Sequence, residues 1–128
     1  MTSSMSHSVE STLAVESAAC PGVVLTINRM SFGRRLELTR QVRELGRKLE
    51  FLEASTEFGE KAEAAILSSE IDCLYLRWGL VEIAGLSLDG VPATSETLIA
   101  SGPEPLSLEI LNAIKNECGL NEAERKNS

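Results

Sequence analysis

The side chains best suited to chemistry are few and scattered. Cys20, Cys73 and Cys118 are the three cysteines and His7 is the single histidine. No C-x-x-C pair exists, and a structural zinc needs four good nitrogen or sulfur ligands, which this supply does not provide. A nucleophilic thiol needs a neighbouring base, yet His7 lies in a polar N-terminal stretch far from the apolar segments. Cys73 sits in the apolar run from Ile71 to Leu76, where a buried, inert thiol is expected. An odd number of widely spaced cysteines reads as reduced thiols in a cytosol-like compartment. Glu57, Glu60, Glu63, Glu70 and Asp72 could bind a hard cation only as an all-oxygen site, and they read more simply as a solvated helix face. Gly79, Gly85 and Gly90 lack the G-x-G-x-x-G spacing that cradles phosphate. No catalytic residue, metal or cofactor is expected, so the chain reads as a binding protein.

The basic residues are more organised. Arg29, Arg34, Arg35, Arg40, Arg43, Arg47 and Lys48 carry most of the 12 cations of a chain whose net charge is −7. Arg34, Arg35, Arg40, Arg43 and Arg47 are therefore candidates for docking an acidic partner. The structural alternative is a solvated helix face on which Glu37, Glu44 and Glu50 form spaced ion pairs. Nucleic acid is the weaker partner, because the bulk charge opposes it and no aromatics are interleaved with the cations. Trp78 is the remaining candidate: it stands beside a turn element as a packing anchor or, alternatively, a partner-binding hot spot.

The elements that must carry these residues follow from periodicity. Aromatics are only 4% of the 128 residues, so a core must come from Leu, Ile, Val and Ala, a composition that leans helical. Residues 1–20 show no sustained period and read as a disordered tail, with a weak helix from Leu13 to Ala19 as the alternative. Val23 to Ile27 is a β-branched run that predicts a strand, which must pair with something. Ser31 then caps a helix from about Phe32 to Glu53, with Leu38, Val42, Leu45, Leu49 and Leu52 as its apolar stripe. Gly46 weakens that helix by about 1 kcal/mol relative to Ala.

Ser55 or Thr56 is the expected cap of a second helix, from about Glu57 to Trp78, apolar on a wide arc and so expected to be buried on several sides. The short connection predicts an antiparallel hairpin. Leu86, Leu88 and Asp89-Gly90 predict a small turn or hairpin element near 80–92, limited by Pro92. Thr94 or Ser95 caps a short helix from about Glu96 to Ala100, stopped by Gly102-Pro103. A last helix should run from about Glu104 to Cys118, stopped by Gly119. Asn121 and Glu124 form a capping-box-like pair in a polar tail, 121–128. The expected fold is thus mainly α: one small helical domain, 21–120, built from an antiparallel helical hairpin and C-terminal helices, with a short N-terminal β-strand. No apolar run approaches the roughly 20 residues that span a bilayer, and the N-terminus has no signal-peptide pattern, so no membrane association and a cytoplasmic location are expected. The apolar second helix also makes a homo-oligomer an expectation.

Trp78 and Leu80 form a W-x-L segment, Asp89, Gly90 and Pro92 an acidic-Gly-x-Pro turn, and Thr94 and Ser95 open the helix that follows. With the ending from Gly119 to Asn127, this layout resembles the small tail assembly chaperones of long-tailed bacteriophages and prophages over residues 23–127. The resemblance implies a mostly helical, non-catalytic protein that binds the tape measure protein, and also the major tail tube protein, during tail morphogenesis and is absent from the finished particle. It also implies a longer frameshifted product in some members. The alternative function is a small helical adaptor or regulatory protein that binds nucleic acid through the basic face of the first helix.

Overall fold

A computed structural model describes residues 6–119. The chain is mainly α, with four helices and a small antiparallel sheet among the described residues. In order, these are β1 (Thr12–Glu16), β2 (Val24–Asn28), α1 (Phe32–Glu53), α2 (Phe58–Gly79), β3 (Leu80–Ala84), β4 (Ser87–Leu88), β5 (Val91–Pro92), α3 (Ser95–Ser101) and α4 (Glu104–Glu117).

Strand β2 is central: the sheet order is β1-β2-β3, with both pairs antiparallel. Leu25 and Ile27 alternate inward and are each 1% exposed, the pattern of a strand covered on one face. They share the main core with Leu98 of α3 and with Leu106, Ile110, Leu111 and Ile114 of α4. For Thr12 to Glu16, strand β1 replaces the expected disordered tail of residues 1–20, and the alternative of a weak helix from Leu13 to Ala19. Its pairing is non-local, Thr12 opposite Asn28 through Glu16 opposite Val24, so no short-range period announces it. The chain after β1 is then clasped to α4. Ser17 Oγ donates to Glu109 Oε1 at 2.5 Å, and the Ala18 and Ala19 amides donate to Glu109 Oε2 at 2.7 and 3.3 Å.

Strand β3 contains a bulge. Ile27 pairs with Leu80 and Thr26 with Glu82, which leaves Val81 as the extra residue. The bulge resets the alternation, so Leu80 and Ile83 are both 7% exposed although they stand three positions apart. Strict alternation would have turned one of them outward. Asp89 (φ 52°) and Gly90 (φ 80°) turn β4 into β5, the pair of left-handed residues that a two-residue hairpin loop requires.

The first helix matches its predicted span, and Ser31 Oγ accepts from the Arg34 amide. The second starts one residue later than expected and has no side-chain cap; Ser55 instead accepts from the Glu57 amide within the turn. Helix α2 is also not buried on several sides as its wide apolar arc suggested, since Phe58 is 87% and Ile66 60% exposed. The reason is its company: α1 packs along it as an antiparallel partner, while α3, α4 and the sheet reach only its C-terminal half. The far half of the hairpin forms its own small cluster of Leu52, Ala64 and Leu67 with Leu45 and Leu49. Thr94 and Thr97 complete a capping box on α3. The expected polar tail, 121–128, with its Asn121 and Glu124 pair, lies outside the described residues.

Two outcomes follow. Gly79 sits where an added Cβ would lie 2.6 Å from Ile114 Cγ2, so Gly79→Ala should lower stability by about 1–3 kcal/mol in urea unfolding, and the same substitution should cost less when made in an Ile114→Ala background, itself less stable than the parent. The Ser17 hydroxyl holds the Glu109 carboxyl below the usual carboxylate range, with the Ala18 and Ala19 amides adding to it and partial burial opposing it. A depressed folded-state value contributes stability that is present above the ordinary carboxylate pKa and lost as pH falls through the lower one. Glu109→Gln should therefore cost on the order of 1 kcal/mol at neutral pH, kept modest by solvent exposure, and progressively less as the pH falls through that lowered value. Urea titrations of both proteins across that range measure it.

Candidate functional site: an arginine-rimmed groove on the helical hairpin

Helix α1 carries the candidate arginines, but the structure divides them. Arg34 is half-buried and works inward: its Nη1 donates to the Ser11 carbonyl at 2.6 Å and to the Arg29 carbonyl at 2.9 Å, tying the ends of β1 and β2 to the start of the helix. Arg35, Arg43 and Arg47 stand along one groove of about 370 Å³ between α1 and its neighbours. Arg40 is exposed and lies outside that groove. Helical angle alone does not make the split, since Arg40 and Arg47 stand only about 20° apart around α1; it follows from which turns of α1 the neighbouring segments border.

The groove floor is apolar, made by Met30, Leu38, Val42 and Tyr75, with Cys118 from α4 at one end. Gly46 lies between the arginines, and nothing beyond its own stretch of helix comes within 4 Å of where its Cβ would stand. The missing side chain keeps the groove open, which gives this helix-weakening residue a local consequence. Arg35 Nη1 donates to the Cys118 carbonyl at 3.3 Å, satisfying a carbonyl at the end of α4. Burial pushes the Cys118 thiol up to about 11, with Arg35 pulling the other way, so the thiol stays protonated at neutral pH.

The ion pairs expected from Glu37, Glu44 and Glu50 do not form. Among the described residues the salt bridges are Arg77 to Glu96 and Lys115 to Asp72, neither on α1. Glu37 instead accepts from Gln41 Nε2 at 2.7 Å. Among the described residues the groove arginines are in no ion pair, although Glu50 also lines the groove. Three cations over an apolar floor can hold an elongated ligand that is apolar on one side and acidic on its flanks. An amphipathic helix with acidic residues has that form.

Trp78 is not part of this groove. It is half-buried against the main core, and its carbonyl accepts from Asn28 Nδ2 at 2.8 Å, which joins the end of α2 to the end of β2. The Val23–Ile27 strand, which had to pair with something, finds both partners within the chain, because β1 and β3 pair with the two sides of β2 and leave it no free edge. Sequence reasoning missed Met30 and Tyr75 as groove residues. Tyr75 was legible only as one apolar position of α2; its place under the arginines of α1 depends on the hairpin register.

All three phenylalanines of the chain are exposed on the hairpin: Phe32 at 93%, Phe51 at 73% and Phe58 at 87%. Phe51 and Phe58 flank the turn between α1 and α2. Among the described residues no group of three or more His, Cys, Asp or Glu could hold a metal ion, and no helix is long and apolar enough to cross a membrane. No family model, curated protein or solved structure matches the chain.

The open space at Gly46 sets an expected outcome. Gly46→Ala should raise stability by about 0.5–1 kcal/mol in urea unfolding, because alanine restores helix propensity without meeting a neighbour. A loss of stability there would show that the groove closes over residue 46 in solution.

Proposed function

We propose that this chain is a non-catalytic tail assembly chaperone of a phage or prophage, which holds an acidic, amphipathic helical stretch of the tape measure protein in the α1 groove. The observation that carries the reading is the groove itself, an apolar floor rimmed by Arg35, Arg43 and Arg47, which outnumber the one carboxylate on the rim, Glu50, and are in no ion pair among the described residues. The resemblance in the segment from Trp78 to Ser95 supports the choice of client. In the structure that segment folds as the end of α2, strand β3, the β4–β5 hairpin and the capped start of α3.

The physics suits a holding role. A long helical client has an apolar stripe that aggregates when uncovered, and covering it with a groove of matching shape keeps it in solution. The arginines add orientation and a faster encounter more than raw affinity. Release is then easy, because groove contacts are few and the rim is open to solvent and salt. The exposed Phe51 and Phe58 offer a second apolar contact, suited to the tail tube subunits that replace the chaperone.

The test is co-expression with the long helical protein encoded beside this chain, followed by pull-down and a solubility assay. Binding that keeps that protein soluble is expected. Charge reversal at Arg43 and Arg47 should weaken binding about tenfold or more at low salt, Gly46→Leu should obstruct the groove to a similar extent, and Arg40→Glu should change it by less than about twofold. Equal losses at Arg40 and Arg43 would remove the groove from the mechanism. Salt-sensitive binding of DNA with no binding of the helical protein would favour the adaptor reading instead.

A further inference from the structure

The chain leaves α4 at the mouth of the arginine groove. Cys118 lines one end of that groove, where its carbonyl accepts from Arg35 Nη1. Gly119 follows in the left-handed region (φ 75°), and its amide donates to the Asn116 carbonyl at 3.0 Å, a turn that ends the helix and redirects the chain. The residues that continue from this point are Leu120, Asn121, Glu122, Ala123, Glu124, Arg125 and Lys126, which lie outside the described residues.

The charges of the groove have an order along α1. From the Cys118 end they are Arg35, Arg43, Arg47 and then Glu50, with Leu38 and Val42 on the floor before Arg43. The continuing segment has the complementary order: Leu120 first, then Glu122 and Glu124, then Arg125 and Lys126. In an extended chain Leu120, Glu122, Glu124 and Lys126 all fall on one side, because side chains alternate between two faces.

We propose that the segment from Leu120 to Lys126 lies extended along the groove of its own chain and must leave before a client enters. The lengths suit this. At about 3.3 Å per residue, Leu120 stands about 7 Å beyond Cys118, Glu122 about 13 Å, Glu124 about 20 Å and Lys126 about 26 Å. Along α1, at about 1.5 Å per residue, Leu38 stands about 5 Å from Arg35, Arg43 about 12 Å, Arg47 about 18 Å and Glu50 about 22 Å. Leu120 thus reaches the floor at Leu38, Glu122 meets Arg43, Glu124 meets Arg47 and Lys126 meets Glu50. A helix over the same residues would end about 12 Å from Cys118 and leave Arg47 and Glu50 unmet.

Gly119 tethers the segment at the end of the groove. Its effective concentration there is on the order of millimolar, so contacts too weak to hold a free peptide fill the groove. Ion pairs on an exposed rim are weak and screened by salt, which keeps the occupation reversible. The inference rests on the reading that the groove accepts elongated amphipathic segments. It adds that the site is covered from within, and that apparent client affinity is lowered by the fraction of chains whose groove is open.

Backbone amide relaxation of the full chain by NMR, at low salt, in reducing buffer and without any client, tests this. Glu122 and Glu124 should have order parameters near the rigid-backbone value of about 0.85, falling below about 0.6 at high salt. The same fall is expected in E122R/E124R and in R43E/R47E, with a shift of the Gly46 amide resonance. All four substitutions together should restore the order, because the reversed segment then meets a reversed rim. Circular dichroism checks that each variant folds, and E122Q/E124Q with R43Q/R47Q replace any that does not, both then expected to show the fall.

Order parameters below about 0.6 at Glu122 and Glu124 in the parent at low salt would overturn the proposal. So would order that survives both reversals, that stays lost in the folded fourfold variant, or that appears only as protein concentration rises. E122R/E124R should also bind the client about three- to tenfold more tightly than the parent, and equal affinity there would overturn the competition. Because the relaxation measurement needs no client, failure of the client to bind would remove only the choice of client. A mobile segment with client binding intact would remove only this inference.

Discussion

The structure depends on the burial of one face of β2 against α4. Leu25 and Ile27 from the strand meet Leu106, Ile110 and Ile114 from the helix in a core where each is almost fully enclosed. Each such side chain contributes about 1.5–3 kcal/mol when moved out of water. Everything else is fixed relative to that contact. Strands β1 and β3 complete the sheet on either side, the Glu109 clasp ties the chain after β1 to α4, and Gly79 lets the end of α2 close onto Ile114. The Asn28 bond to the Trp78 carbonyl then sets the angle at which α2 leaves the core.

That arrangement explains why the hairpin is built so differently from the rest. Its near half is anchored through Leu38, Tyr75 and Leu76, while its far half is held only by a small cluster around Leu52 and Leu67. Segments with few buried apolar contacts open locally at lower cost than the main core. Exposed aromatics and charges that are in no ion pair among the described residues collect there, on the part of the molecule least tied to β2 and α4. The mean electrostatics of the chain hide this arrangement, since an overall charge of −7 says nothing of a groove rimmed by three arginines on one helix.

Much of the helical framework was legible in the residues. Leu38, Val42, Leu45, Leu49 and Leu52 mark the inner side of α1 at helical spacing, and its bounds follow from Ser31 at one end and the break after Glu53 at the other. The Asp89-Gly90 turn and the Thr94 cap are local chemistry, decided by a few neighbouring residues. Strands β1 and β3 were not legible in the same way. Five-residue strands are stabilised by partners far along the chain, and the bulge at Val81 erases the alternation that would have marked β3. The arginines were legible as a stripe but not as a site, because which of them border an apolar floor depends on the register of α1 against α2.

By itself, then, the sequence determined the helix spans, the turns and the concentration of cations on one helix, since these rest on propensity, capping and 3.6-residue periodicity. The tertiary structure alone decided that the N-terminal residues form a strand, that both edges of β2 are covered, and that Arg34 is structural while Arg43 and Arg47 face an open groove. The physical reason is the range of the interactions: the first set is made between residues a few positions apart, and the second only after segments up to 92 residues apart have been brought into contact.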